Sequence, residues 1–147
     1  MDASRHIENL IYTYAERIDA GNLAGVAELF RQGEILAPAH GSHLRGYDDI
    51  LALYQGACRL YDDTGTPKTK HLTTNVIIEV DGEQAEARSY YTVIQATDEL
   101  PLQPIISGRY EDSFVCRDGK WCFAIRQMFV DHIGDCSAHL LDGTDNL

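Results

Sequence analysis

The chain has 147 residues, 44% of them hydrophobic, and 12 Lys and Arg against 23 Asp and Glu give it a formal charge of −11. That length holds one domain and one core, large enough to fold without disulfides or a structural metal. An acidic surface with no basic run excludes nucleic acid and anionic membranes as partners. No window reaches the ~20 apolar residues of a spanning helix, and residues 1–10, with Asp2, Arg5, His6 and Glu8, lack the apolar stretch of a signal peptide, so a soluble, cytoplasmic protein is expected.

Ile7, Leu10, Ile11, Tyr14 and Ile18 recur at helical spacing and predict a first helix, with Ser4 as its cap and Gly21 ending it. A second, short helix is expected over 22–30, with Leu23, Val26, Ala27 and Phe30 inward. An extended stretch over 34–39 and a polar loop with His40, Gly41 and His43 follow. A third helix starts after Gly46, capped by Asp48, and carries Ile50, Leu53, Tyr54 and Ala57. Residues 61–70, rich in Asp, Thr, Gly and Pro, read as a loop.

The remainder reads as strand. Residues 71–80 are β-branched and end in Asp81-Gly82, a hairpin signal. The partner strand alternates Ala85, Ala87, Ser89, Tyr91 and Val93 against Gln84, Glu86, Arg88 and Tyr90. After a loop with Pro101 and Pro104, residues 105–117 and 120–131 form two strands joined by Asp118-Gly119, and an irregular tail begins at Gly134. Helices followed by a four-stranded antiparallel meander make an α+β fold, a curved sheet covered by helices into a cone with an open mouth. Cys58, Cys116, Cys122 and Cys136 show no C-x-x-C spacing and are expected as free thiols, although Cys116 and Cys122 flank a turn and could approach each other.

No phosphate loop and no G-x-S-x-G elbow occurs. Candidate chemistry therefore rests on single polar residues in apolar settings. Asp19 ends the first helix, where a negative charge opposes the macrodipole and needs a cationic or donor partner. His71 opens the first long strand, on one face with Thr73 and Asn75, and imidazole exchanges protons near neutral pH. Tyr14 lies on the apolar helix stripe, which suits a core ring with a wet hydroxyl. Arg126 sits mid-strand among apolar residues and needs a carboxylate, such as Glu111 or Asp112, or a ligand. His6, His40, His43, His132 and His139 read as surface or loop residues; the irregular spacing of His132 and His139 makes a poor metal site.

Ile7-Glu8-Asn9-Leu10 leading to Tyr14, Ile18-Asp19-Ala20-Gly21-Asn22 with Phe30, His71 ahead of Thr74-Asn75, Gly108-Arg109-Tyr110-Glu111-Asp112-Ser113-Phe114, and Asp118-Gly119-Lys120-Trp121 with Arg126 together resemble the NTF2-like superfamily. The resemblance covers nearly the whole chain. It is to the polyketide-cyclase-like (SnoaL-like) branch, which includes scytalone dehydratase, hexachlorocyclohexane dehydrochlorinase and bile-acid 7α-dehydratase. It implies a single cone-shaped α+β domain, and a lyase or isomerase that needs no cofactor and no metal. Asp19 and His71 match the catalytic pair of the dehydratase-like members, Tyr14 a tyrosine of the bile-acid enzyme, and Arg126 an arginine shared by that enzyme and the dehydrochlorinase. The second pocket histidine of scytalone dehydratase has no counterpart in the strand from Gln84 to Thr97. The expected substrate is a small, cyclic, mostly hydrophobic molecule, and the expected assembly is a homo-oligomer, a trimer, formed through the outer sheet face around Arg88, Tyr90 and Thr92. Two other classes fit the same fold: a scaffold resembling the small subunit of ring-hydroxylating dioxygenases, and a small-ligand-binding module. An Asp19–His71 bond in a closed apolar pocket favours the lyase; a pocket filled by side chains favours the others.

Overall fold

The apolar stripe read from the sequence becomes the buried face of helix α1 (Ala3–Asp19), with Ile7, Ile11, Tyr14, Ala15 and Ile18 inside. The helix starts earlier than expected. Asp2 caps it, its carboxylate accepting from the Arg5 amide at 2.9 Å, and Ser4 falls within the first turn. A carboxylate in that place also meets the positive end of the macrodipole, which a serine does not. The computed structural model describes residues 1–141, the side chain of His40 apart.

Gly21 follows α1 with φ of +75°, and a Cβ there would come within 2.0 Å of the Gly65 carbonyl oxygen. Only glycine allows both the turn and that approach. Asn22 caps α2 (Leu23–Leu29), accepting from the Gly25 amide. Strand β1 (Glu34–Ala37) leads through a short 3-10 turn (Pro38–His40) to β2 (Ser42–Arg45). The segment holding His43, expected as a loop, is thus a strand paired antiparallel with β1; its polar residues suit a sheet edge and give no apolar alternation. Helix α3 (Gly46–Ala57) begins without a side-chain cap; Asp48 lies inside its first turn beside Asp49, where it complements the dipole instead.

The four long strands are β3 (Thr69–Asp81), β4 (Gln84–Gln95), β5 (Gln103–Arg117) and β6 (Lys120–Ile133). They form the expected meander, and β1 adds to it by running parallel to β6, so the sheet is mixed and six-stranded in the order β2-β1-β6-β5-β4-β3. It is not closed: β2 and β3 are its edges. Asp81 pairs with Gln84, which moves the first hairpin loop to Gly82-Glu83, one residue beyond the expected Asp-Gly pair. Asp118-Gly119 is the second loop, with φ of +52° and +77°, the type I′ geometry that matches strand twist. Ala85, Ala87, Ser89, Tyr91 and Val93 face inward as the alternation predicts. Ile7, Ile11, Ile50 and Ile105 are fully buried, each worth ~1.5–3 kcal/mol over an exposed position. All four cysteines are free; Cys116 pairs with Trp121 and Val115 with Cys122, so the two thiols are not opposite.

The tail does not hang off the domain. Residues 134–141 fold back from the end of β6 to the end of α3, held by bonds from Gly134 N to Ile105 O, Arg59 N to His139 O and Leu141 N to Ala57 O. Tyr61 Oη and Gln95 Nε2 both donate to the Ala138 carbonyl, at 2.6 and 3.1 Å. Cys136 and His139 are buried, so His139 is no surface residue. Residues 142–147 of the expected tail lie outside the described part.

Burial, with His71 beside it, pushes the His139 imidazole down from its ordinary 6.5 to about 4, the nearby Asp19 acting the other way. Between those values the unfolded chain binds a proton that the folded chain refuses, so stability falls as pH drops through this window. The contribution is whole above about pH 6.5 and is lost progressively by about pH 4, on the order of 3 kcal/mol in all. Denaturant midpoints at pH 7 and pH 4.5 check this: His139→Gln should lose markedly less stability than wild type on acidification, and parallel losses would show that the imidazole is not held neutral.

Candidate active site

Asp19 is the last residue of α1, at the end of the helix that repels a negative charge. Its carboxylate is met by three donors from the start of β3. Oδ1 accepts from Thr69 Oγ1 at 2.9 Å and from His71 Nδ1 at 2.7 Å, and Oδ2 accepts from the His71 amide at 2.8 Å. Thr69 and His71 are two apart on a strand and so point to one side, toward the helix. Both members of the pair are largely removed from water, the His71 side chain 8% and the Asp19 side chain 11% exposed. Burial raises the Asp19 carboxyl, and the bonds from His71 and Thr69 together outweigh it and leave it below its ordinary range. With Nδ1 donating to Asp19, the neutral imidazole keeps a free lone pair on Nε2.

Two details of this strand differ from expectation. Thr69 belongs to the site, although the strand was expected to start at His71. Asn75 does not share the inward face, because the ladder slips between Thr74 and Ile77 and Asn75 takes φ of +40° in that bulge.

Tyr14 and Arg126 gather in a second cluster. Tyr14, five residues before Asp19, is turned well away from it around the helix and shares a hydrogen bond with Tyr54, oxygen to oxygen at 2.5 Å. Burial first, then Tyr54, raises its hydroxyl well above the ordinary tyrosine value, so it stays a proton donor. Arg126 is fully buried and pairs through Nε and Nη2 with the two oxygens of Asp112, at 2.8 and 2.9 Å. Asp112 is its cross-strand partner, which decides between the two carboxylates the sequence offered. The guanidinium lies 3.6 Å from the Tyr110 ring centre and 4.3 Å from that of Tyr14. Burial lifts the Asp112 carboxyl, while Asp112 in turn holds Arg126 above its ordinary value against burial. Arg126 Nη1 is buried without a partner.

His139 joins the first cluster. Its ring stands at 73° to that of His71, with centres 6.2 Å apart, and its Nδ1 is buried without a partner. Sequence reading missed it because the tail shows no periodicity; Cys136, Ala138, Leu140 and Leu141 around it were the apolar hints. His132 is exposed on β6, apart from this arrangement. Among the described residues no group of three or more His, Cys, Asp or Glu side chains is placed to hold a metal ion. Among the described residues, a surface cleft of about 540 Å³ beside Arg59, Tyr61, Glu99 and Ser137, and another of about 380 Å³ beside Glu86, Arg88 and Glu111, are not lined by Asp19 or His71.

No curated relative matches this sequence. Solved structures do share the fold. One, a function-unknown protein from Mycobacterium tuberculosis, is 27% identical over 88% of this chain and 72% of that chain, with a TM-score of 0.71. A candidate scytalone dehydratase from Novosphingobium aromaticivorans is 26% identical over 88% of this chain and 84% of that chain, with a TM-score of 0.68. LinA is 20% identical over 90% of this chain and 88% of that chain, with a TM-score of 0.69, a likeness of fold alone. The family model of the SnoaL-like domain matches residues 1–127. With that match over most of its length, the chain belongs to the SnoaL-like domain family.

Proposed function

We propose that the protein is a cofactor-independent lyase of the dehydratase type, or an isomerase, acting on a cyclic, mostly apolar small molecule. The observation that carries this reading is the 2.7 Å bond between Asp19 and His71, with the Asp19 carboxylate fixed by two further donors. A base held that way keeps one orientation and one tautomer. His71 Nε2 takes a proton from carbon next to a carbonyl, and Asp19 stabilises the imidazolium that forms. This reading assigns the stabilisation of developing negative charge to Arg126, whose Nη1 is buried without a partner, and to the Tyr14 hydroxyl, which would exchange its bond to Tyr54 for one to the substrate. The imidazolium then returns its proton to departing hydroxide, giving water and a double bond. A well-placed base contributes ~10²–10⁴-fold. The likeness to a candidate scytalone dehydratase supports this reading.

The second reading is a non-catalytic module, a scaffold or a small-ligand binder. The rings of Tyr14, Tyr54 and Tyr110 packed about Arg126 favour the scaffold, because they fill space that a substrate or ligand needs. We also propose a homo-oligomer, with a trimer as the expected form, that buries the outer sheet face where Leu72, Ile77 and Tyr90 are exposed.

Cyclic β-hydroxy ketones screened for the ultraviolet band of the enone product test the lyase. Wild type should turn over at least one; Asp19→Asn should lose roughly 10²-fold or more and His71→Gln should reach background. Activity equal in all three, or absent across the series, would leave the non-catalytic module. Carbon-13 titration offers a second check: in His71→Gln the Asp19 carboxyl should rise, since the imidazole that depresses it most is gone while the residue 71 amide and Thr69 remain. For the assembly, sedimentation should give a species heavier than the monomer, and Tyr90→Glu should shift it toward the monomer.

A further inference from the structure

His139 has no structural need to be a histidine. The tail is docked by main-chain atoms, among them the His139 amide donating to Cys136 O and the His139 carbonyl accepting from Arg59 N, bonds that any residue could make. Its imidazole is nonetheless buried beside His71 with Nδ1 unsatisfied, and an unpaired buried polar atom is unfavourable unless something arrives to meet it. A second orphan lies on the same dock: Gln95 holds Pro67 O and Ala138 O with Nε2, while its Oε1, an acceptor, is buried without a partner. A hydroxyl is the group that accepts from an N–H and donates to a carbonyl oxygen. Residue 139 also lies beyond the stretch that matches the family model, residues 1–127.

We propose that His139 is a catalytic residue that binds the departing hydroxyl of the substrate through Nδ1–H, and that the substrate is therefore a hydroxylated ring whose hydroxyl is seated under the tail. This rests on the lyase reading of Asp19 and His71. Two adjacent imidazoles resist carrying two charges, and Asp19 bonds only one of them, so the proton goes to His71 and His139 stays a neutral donor. In the reaction the carbon-bound proton moves to His71 Nε2, and the electron pair of the C–H bond becomes the new C=C bond. The C–O bond breaks with its electrons on oxygen, and that oxygen takes the proton back from His71 and leaves as water. His139 gains and loses no proton; its hydrogen bond strengthens as charge builds on the oxygen.

The test is nitrogen-15 spectroscopy of the imidazole rings in the full chain, with 3-hydroxycyclohexanone as the probe and cyclohexanone as its hydroxyl-free control. The hydroxy ketone should move the ring nitrogens of both His71 and His139, and cyclohexanone those of His71 alone. The probe should bind about tenfold more weakly to His139→Phe, and His139→Gln, which keeps a donor, should recover most of that loss. If His139→Phe does not fold, the wild-type spectra decide. A hydroxy ketone that moves His71 and leaves His139 unmoved overturns this proposal and spares the lyase. A probe that moves neither ring overturns the lyase reading, and this proposal with it.

Discussion

A carboxylate at the C-terminal end of a helix is held in place by whatever donors the rest of the chain delivers, and here β3 delivers three. Thr69 and His71 close on Asp19 from side chain and backbone alike, so the end of α1 and the start of β3 are locked in register across 50 to 52 residues of sequence. The turn at Gly21 makes this reachable, because it lets the loop at Gly65 pass against the end of the helix. The clamp has two products at once: the helix is fixed on the sheet, and an imidazole is oriented with one nitrogen free. Structure and chemistry cannot be separated at this point, since the same three bonds supply both.

The other buried charge works differently. Arg126 and Asp112 are neighbours across the ladder, and their parallel bonds, with aromatic rings on the guanidinium, satisfy most of what burial removed. Breaking such a pair from one side leaves a charge with no water, which costs about 3–5 kcal/mol. The interior is therefore polar at two depths, around the arginine and around the histidines, with aromatic surface lining the arginine end.

Much of the architecture was legible because it is written in side chains. The stripe from Ile7 to Ile18, the alternation from Ala85 to Val93 and the Asp118-Gly119 turn each carry a local period or a local conformational demand. Asp19 was legible as a charge in the wrong place, and its pairing with His71 came from resemblance, since nothing local joins residues so far apart. What escaped was written in backbone. β2 has four residues with no alternation, the parallel pairing of β1 shows only against Ile125, Arg126 and Gln127, and the docking of the tail depends on carbonyls and amides of residues 57, 59 and 105. His139 escaped with the tail: its burial is a consequence of those main-chain bonds, and the apolar residues around it carry no period that announces it.

The parallel strand has a consequence for synthesis. β1 hydrogen-bonds to residues 125–127 of β6, about 90 positions later in the chain. At ~5–20 residues per second, translation leaves β1 without that partner for roughly 5 to 20 seconds after it is made. Throughout that interval the apolar faces of α1 and α2 have no completed sheet to cover them. The amino-terminal third leaves the ribosome without the strand that completes its sheet, and its native pairing waits for the last strand.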